Sequence, residues 1–178
     1  MLNTRIILEG SKQERIIKML ELAGWCPGRS VDITEVESYY ETCGIELSES
    51  ARCFFRQYYG LAENWWVDQE YKPNVSNDFF FSPEPNNDYL RVKDHMFDDA
   101  DYKLPSTDFL SVESIAGEPF VYVGSIGYNY PAEVWIGESG KIYTTHEYDN
   151  IAHAFDSIVE LIDWELSKHK IDFVMIRK

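Results

Sequence analysis

What this sequence lacks narrows it first. Its 178 residues hold three cysteines, Cys26, Cys43 and Cys53, with no Cys-x-x-Cys pair. An odd count at irregular spacing excludes a disulfide framework and a cysteine zinc site, and it fits a reducing cytoplasm. No run approaches the ~20 apolar residues of a membrane helix. Near the start, Ile6-Ile7-Leu8 is interrupted by Glu9 and no cleavage pattern follows, so no signal peptide is expected and the location reads as cytoplasmic. Basic residues are scarce. Sixteen Lys and Arg against 31 Asp and Glu leave a net charge of −15. Such a field repels nucleic acid and anionic membrane, so neither is expected as a partner, and it attracts basic proteins. The other reading of the charge is solubility alone.

The chain is 44% apolar and 15% aromatic, enough for one globular domain spanning residues 1–178 with a proper core. The charge is uneven: residues 61–118 carry 13 acidic and 4 basic groups. No internal repeat or low-complexity linker divides the chain.

Three helices are predicted in the first sixty residues. Ser11-Lys12-Gln13-Glu14 is a capping box opening a helix with Ile16, Leu20 and Ala23 on one stripe and Gly24 as its stop. Thr34-Glu35-Val36-Glu37 reads as a second box, starting a helix with Val36, Tyr40 and Cys43 inward and Gly44 as terminator. Ser48 caps a third, which carries Ala51, Phe54, Phe55 and Tyr58 and ends at Gly60.

Helical periodicity then gives way to short aromatic runs between turn formers. Trp65–Val67, Asp78–Phe81 and Tyr89–Val92 read as strands, and residues 93–107 as loop. A short helix from Ser106 or Thr107 to Ala116 follows. Phe120–Ile126, Glu133–Gly137 and Lys141–Thr145 are predicted antiparallel strands. Asn150 is predicted to cap the longest helix, to about Leu166, and Ile171–Ile176 to form a last strand. The fold class is α+β: N-terminal helices and a long C-terminal helix packed on one side of a largely antiparallel sheet.

Residues 23–32, Ala-Gly-Trp-Cys-Pro-Gly-Arg-Ser-Val-Asp, form a structured corner between the first two helices. Pro27-Gly28 is a turn pair, with proline presetting one φ and glycine supplying a positive one. Arg29 and Asp32 can brace each other or bond backbone groups left open by helix ends. Arg29 reads either as an anion clamp or as a structural arginine tying two helices together.

Gly24-Trp25, Pro27-Gly28-Arg29 and Val31-Asp32, followed by a helix and Gly44, resemble the signature of the SUKH superfamily of bacterial immunity proteins, most closely its third subfamily. Phe54-Phe55, Gly60-Leu61, Glu118-Pro119, Trp135-Ile136-Gly137 and Gly140–Tyr143 follow in the family's order. The resemblance covers about residues 12–166, and residues 86–108 match nothing in it. It implies a SUKH-like fold and a protein that binds and neutralises the C-terminal domain of a cognate toxin. Many such toxins are nucleases, hence basic, and an inhibitor that occludes their active surface needs no catalysis. It also implies that Gly24, Trp25, Pro27, Gly28, Arg29 and Asp32 sustain the fold rather than touch the partner. The alternative is a non-catalytic interaction or regulatory scaffold of the same fold.

His95 with Asp94, Asp98, Asp99 and Asp101 is a cluster of ligand-type residues, but Ala100 and Tyr102 break the alternation a calcium loop needs and no glycine makes its turn. An exposed acidic loop is the competing reading. His146 and His153 lack a nucleophile in a recognisable elbow. Cys26 beside Arg29 reads either as an activated thiol or as a buried small apolar residue. Gly124–Gly127 lacks the strand-to-helix context of a phosphate loop. No catalytic residue, metal or cofactor is assigned.

Two surfaces remain for binding. Trp65, Trp66, Phe79, Phe80 and Phe81 outnumber what one sheet face needs, so some are core and the rest a patch. The acidic stretch 84–101 follows them. The candidate contact residues are Trp65, Trp66, Glu84, Asp88, Asp94, Asp98, Asp99 and Asp101, offered to a basic toxin domain by a monomer or weak homodimer.

Overall fold

A computed structural model describes residues 5–67, 75–83, 107–127, 131–146, 149–168 and 174–177. The predicted strand 89–92 and most of the predicted loop 93–107 lie outside them.

Helix α1 (Lys12–Leu22) opens on the expected reciprocal box. Ser11 Oγ accepts from the Glu14 N–H at 3.3 Å and the Glu14 carboxylate accepts from the Ser11 N–H at 2.7 Å. It buries Ile16, Met19 and Leu20. It stops because Gly24 takes φ 105°, which lets Gly24 N–H reach Glu21 O at 3.0 Å and Trp25 N–H reach Leu20 O at 2.9 Å. That pair of bonds satisfies carbonyls the helix end leaves open.

Helix α2 (Thr34–Thr42) starts differently from the prediction. No side chain caps it at the expected position. Asp32 instead accepts from the Thr34 N–H at 3.0 Å and from Thr34 Oγ1 at 2.6 Å, and Glu37 pairs with Arg52 at 3.0 Å. The Thr34 N–H that the box would give to Glu37 is thus taken by an aspartate two residues upstream. Helix α3 (Glu49–Tyr58) is capped by Ser48, which accepts from the Ala51 N–H at 3.1 Å. Its buried face is Ala51, Phe54 and Phe55.

Eight strands among the described residues form one sheet: β1 (Arg5–Ile7), β2 (Ala62–Val67), β3 (Val75–Phe80), β4 (Phe120–Gly127), β5 (Ala132–Gly137), β6 (Ile142–His146), β7 (Asp149–Phe155) and β8 (Val174–Arg177). Their order is β1-β8-β2-β3-β4-β5-β6-β7, and every neighbouring pair is antiparallel. Helix α4 (Thr107–Ala116) precedes β4, and α5 (Ile158–Lys168) lies between β7 and β8.

The long helix predicted from Asn150 is corrected here. Residues 149–155 form β7, paired with β6 through Ile142↔Phe155, Tyr143↔Ala154 and Thr144↔His153. Ile151, His153 and Phe155 alternate with Ala152 and Ala154, a period of two that the apolar content disguised. The helix begins only at Ile158, where Ser157 Oγ accepts from the Glu160 N–H at 3.2 Å. Its inward residues are Ile158, Leu161, Ile162 and Leu166, all at most 3% exposed.

Helices cover both sides of the sheet, another departure from the prediction. Register sets Tyr122, Trp135 and Tyr143 on one face and Val121, Ile136, Ile142 and Phe155 on the other. Phe109 of α4 meets Phe120 and Trp135, ring centroids 4.8 and 6.4 Å apart, so α4 lies on the first face. Trp164 of α5 meets Phe155 at 5.4 Å on the second, where Phe54 and Tyr58 of α3 also meet Phe81.

One gap in the sheet shapes the rest. β3 pairs only with Ser125–Gly127, leaving the first half of β4 without that neighbour. Tyr40 of α2, fully buried, donates its hydroxyl to the Tyr122 carbonyl there. Gly124 marks the change, at a register shift with φ 148°. A Cβ on it would lie 2.3 Å from Phe80 O and 2.8 Å from Phe81 Cα, so only glycine lets β3 approach.

Candidate partner-binding cleft

The corner at 24–32 is built as a brace. Arg29 N–H bonds Cys26 O at 3.0 Å and Gly28 takes φ 77°, the turn the Pro27-Gly28 pair predicts. The Arg29 guanidinium donates to Gln57 O at 2.6 Å and Tyr59 O at 3.0 Å, and Val31 N–H bonds Arg56 O at 3.0 Å. Arg29 therefore serves open carbonyls at the end of α3, while Asp32 serves the start of α2. Bonds from the Thr34 side chain and then its backbone hold the Asp32 carboxyl below its ordinary range. Trp25 packs half-buried against the core. Cys26 is exposed, not buried.

Of the residues predicted to contact a partner, Glu84, Asp88, Asp94, Asp98, Asp99 and Asp101 lie outside the described residues, as does His95. Trp65 and Trp66 sit in β2, inside the sheet, with backbone partners on both sides: Asn77 and Ile176 for Trp65, Ser76 and Met175 for Trp66. Phe79 and Phe81 are core, 1% and 0% exposed, and Phe80 is half-buried.

An aromatic floor with an acidic rim does occur, in a different place. Ile45, in the link from α2 to α3, lines a hollow with Phe109 and Glu113 of α4. Two hollows open there and meet at Ile45, which lines both. One, about 400 Å³, is lined by Glu37, Glu41, Glu46, Leu47 and Arg52. The other, about 560 Å³, is lined by Phe109, Glu113, Glu118, Pro119, Phe120 and Trp135. Five carboxylates face one guanidinium, and that guanidinium is already paired with Glu37.

The carboxylates divide by occupation. Glu118 takes the Ser139 N–H at 2.7 Å, Ser139 Oγ at 2.6 Å and the Tyr143 hydroxyl at 2.8 Å. Desolvation pulls its carboxyl upward, and these bonds together with Lys141 outweigh it and hold the group below its ordinary range. Burial, then Glu118 itself, pushes Tyr143 up to about 12. Glu118 thus fastens the β5–β6 turn and the wall of the second hollow. Glu41, Glu46 and Glu113 are exposed and make no side-chain hydrogen bond or ion pair among the described residues. Trp135, in the wall of the second hollow, is 2% exposed, and its indole N–H has no acceptor among the described residues.

A family model for SUKH-3 immunity proteins matches residues 12–162. The chain belongs to that family. No curated protein and no solved structure matches it. Both walls of the cleft in this SUKH-3 protein fall within the matched span, as does the corner at 24–32.

Other polar groups of the SUKH-3 chain are tied into the fold. His146 Nε2 lies 3.0 Å from Glu165 Oε1, and His153 packs on Trp164 at 4.4 Å. Among the described residues no group of three or more His, Cys, Asp or Glu is disposed to hold a metal, and no helix is long and apolar enough to cross a membrane. Sequence reasoning missed the cleft because its two walls lie some 60 residues apart and nothing in either announces the other. The nearest signals were Ile45 and Leu47, apolar residues in a short link, and the Glu118-Pro119 pair.

Proposed function

We propose that this SUKH-3 protein neutralises a cognate toxin domain by binding it, that the toxin is basic and of the nuclease type, and that occlusion of its active surface suffices. Membership of an immunity protein family carries the reading. The net charge of −15 supports the choice of a basic partner. An inhibitor of this kind needs no catalytic group, metal or cofactor, and works in the cytoplasm. The acidic stretch 84–101 adds steering: carboxylates there raise the rate of encounter with a basic domain and make it sensitive to salt.

The test is co-expression with the toxin domain encoded beside this gene, scoring survival and then co-purification at low and high salt. Rescue with a salt-weakened 1:1 complex is the expected result. Charge reversal at Asp98, Asp99 and Asp101 should then slow association more than it speeds dissociation. Absence of rescue and of any complex, with both proteins folded, refutes the proposal.

A further inference from the structure

We infer that the cleft between the α2–α3 link and α4 seats the toxin, and that it takes a segment carrying a Lys or Arg side chain next to an aromatic or aliphatic anchor. The inference rests on the toxin-binding reading above and adds the place and the chemistry of the contact. Two observations carry it.

The first is charge complementarity within the cleft. Of its five carboxylates, Glu37 is used by Arg52 and Glu118 by Ser139 and Tyr143. Glu41 and Glu46 line one hollow and Glu113 the other, and none of the three makes an ion pair among the described residues, Arg52 being taken by Glu37. Like charges gathered this way repel one another, and a cation from outside relieves the repulsion. The second is the apolar floor. Ile45, Phe109, Phe120 and Trp135 line a hollow together with the carboxylates of Glu113 and Glu118. Central apolar contacts ringed by charge are the arrangement in which an anchor supplies affinity and ion pairs supply register.

The hollows are also rigidly framed. Glu118 ties one wall to the β5–β6 turn, Ser50 Oγ donates to Glu138 O at 2.6 Å from α3, and Tyr40 fixes α2 to β4. A preformed cleft loses little freedom on binding. The acidic stretch 84–101 runs on in sequence to α4, so steering groups and anchor site adjoin along the chain.

The experiment titrates the full chain with the toxin domain encoded beside the gene, made inactive, and compares two variants of equal net charge. Glu41→Lys with Glu46→Lys alters the cleft; Glu9→Lys with Glu21→Lys alters exposed positions before and on α1. Two reversed contact charges should weaken the complex by about a hundredfold or more, and the remote pair by far less. Hydrogen exchange on the wild-type complex should show new protection at 44–47 and 117–120, a readout that needs no variant to fold. Equal weakening by both pairs, or protection that spares those residues, overturns the assignment while leaving toxin binding intact. No complex with the wild type overturns the toxin-binding reading and the assignment together.

Discussion

Replacing Glu133 with Gln should stabilise this protein, and increasingly so as pH rises. Glu133 lies in β5 between Ser125 of β4 and Thr145 of β6, and its Oε2 is buried without a hydrogen-bond partner among the described residues. Burial, and secondarily the charge of Asp108 on α4, pushes its carboxyl from 4.5 up to about 8. Between those values the folded state keeps a proton that the unfolded chain has released. Stability therefore falls as pH climbs through that window and levels off above pH 8. The full shift from 4.5 to about 8 corresponds to about 5 kcal/mol, and to about 3 kcal/mol at pH 7. Rotation of the side chain toward water recovers part of this, so about 2 kcal/mol is the working expectation for Glu133→Gln at pH 7. In a chain of this size that raises Tm by about 4–8 °C. Urea titrations of both proteins at pH 5, 7 and 9 measure it. The two stabilities should converge near pH 5 and separate toward pH 9, the difference cancelling the protein's many other carboxylates. A constant offset at all three pH values, or a less stable Gln variant at pH 9, refutes the reasoning.

Two further outcomes follow from the corner and the sheet. Arg29→Ala removes both bonds to the end of α3 and should cost about 1–2 kcal/mol, read as a lower Tm, while toxin affinity measured well below the melt stays unchanged. Weaker binding without a change in Tm would move Arg29 from the scaffold to the interface. Gly124→Ala drives a Cβ into the Phe80 carbonyl and should cost about 3 kcal/mol or more, whereas Gly28→Ala, with open space around it, should cost only the about 1–2 kcal/mol of its positive φ. Equal losses by thermal melting would show that the close approach of β3 to β4 does not matter.

Local chemistry was legible wherever it closes over a few residues. Ser11 with Glu14, Ser48 before α3, the stops at Gly24 and Gly44 and the Pro27-Gly28 turn each complete their bonds within about four positions, so the residues name the structure. The meander from Phe120 to Thr145 was readable for the same reason, its strands being joined by short turns. Asp149–Phe155 was misread because alternate alanines and large residues satisfy a helical stripe almost as well as a strand; pairing with β6 decided it. At the start of α2 the Thr34 N–H goes to Asp32, while Glu37, its partner in the expected box, pairs with Arg52 of α3.

Fold class, family signature and the acidic balance were thus determined by sequence alone, since each depends on composition, on period or on neighbours along the chain. Tertiary structure alone decided that α4 takes the opposite face from α3 and α5, and that Tyr40 of α2 bonds the β4 backbone at Tyr122. It also set Ile45 in the wall of one hollow with Trp135, across some 90 residues, which makes the cleft. Contacts between distant segments depend on where the sheet leaves an edge unpaired, and no local pattern of side chains records that.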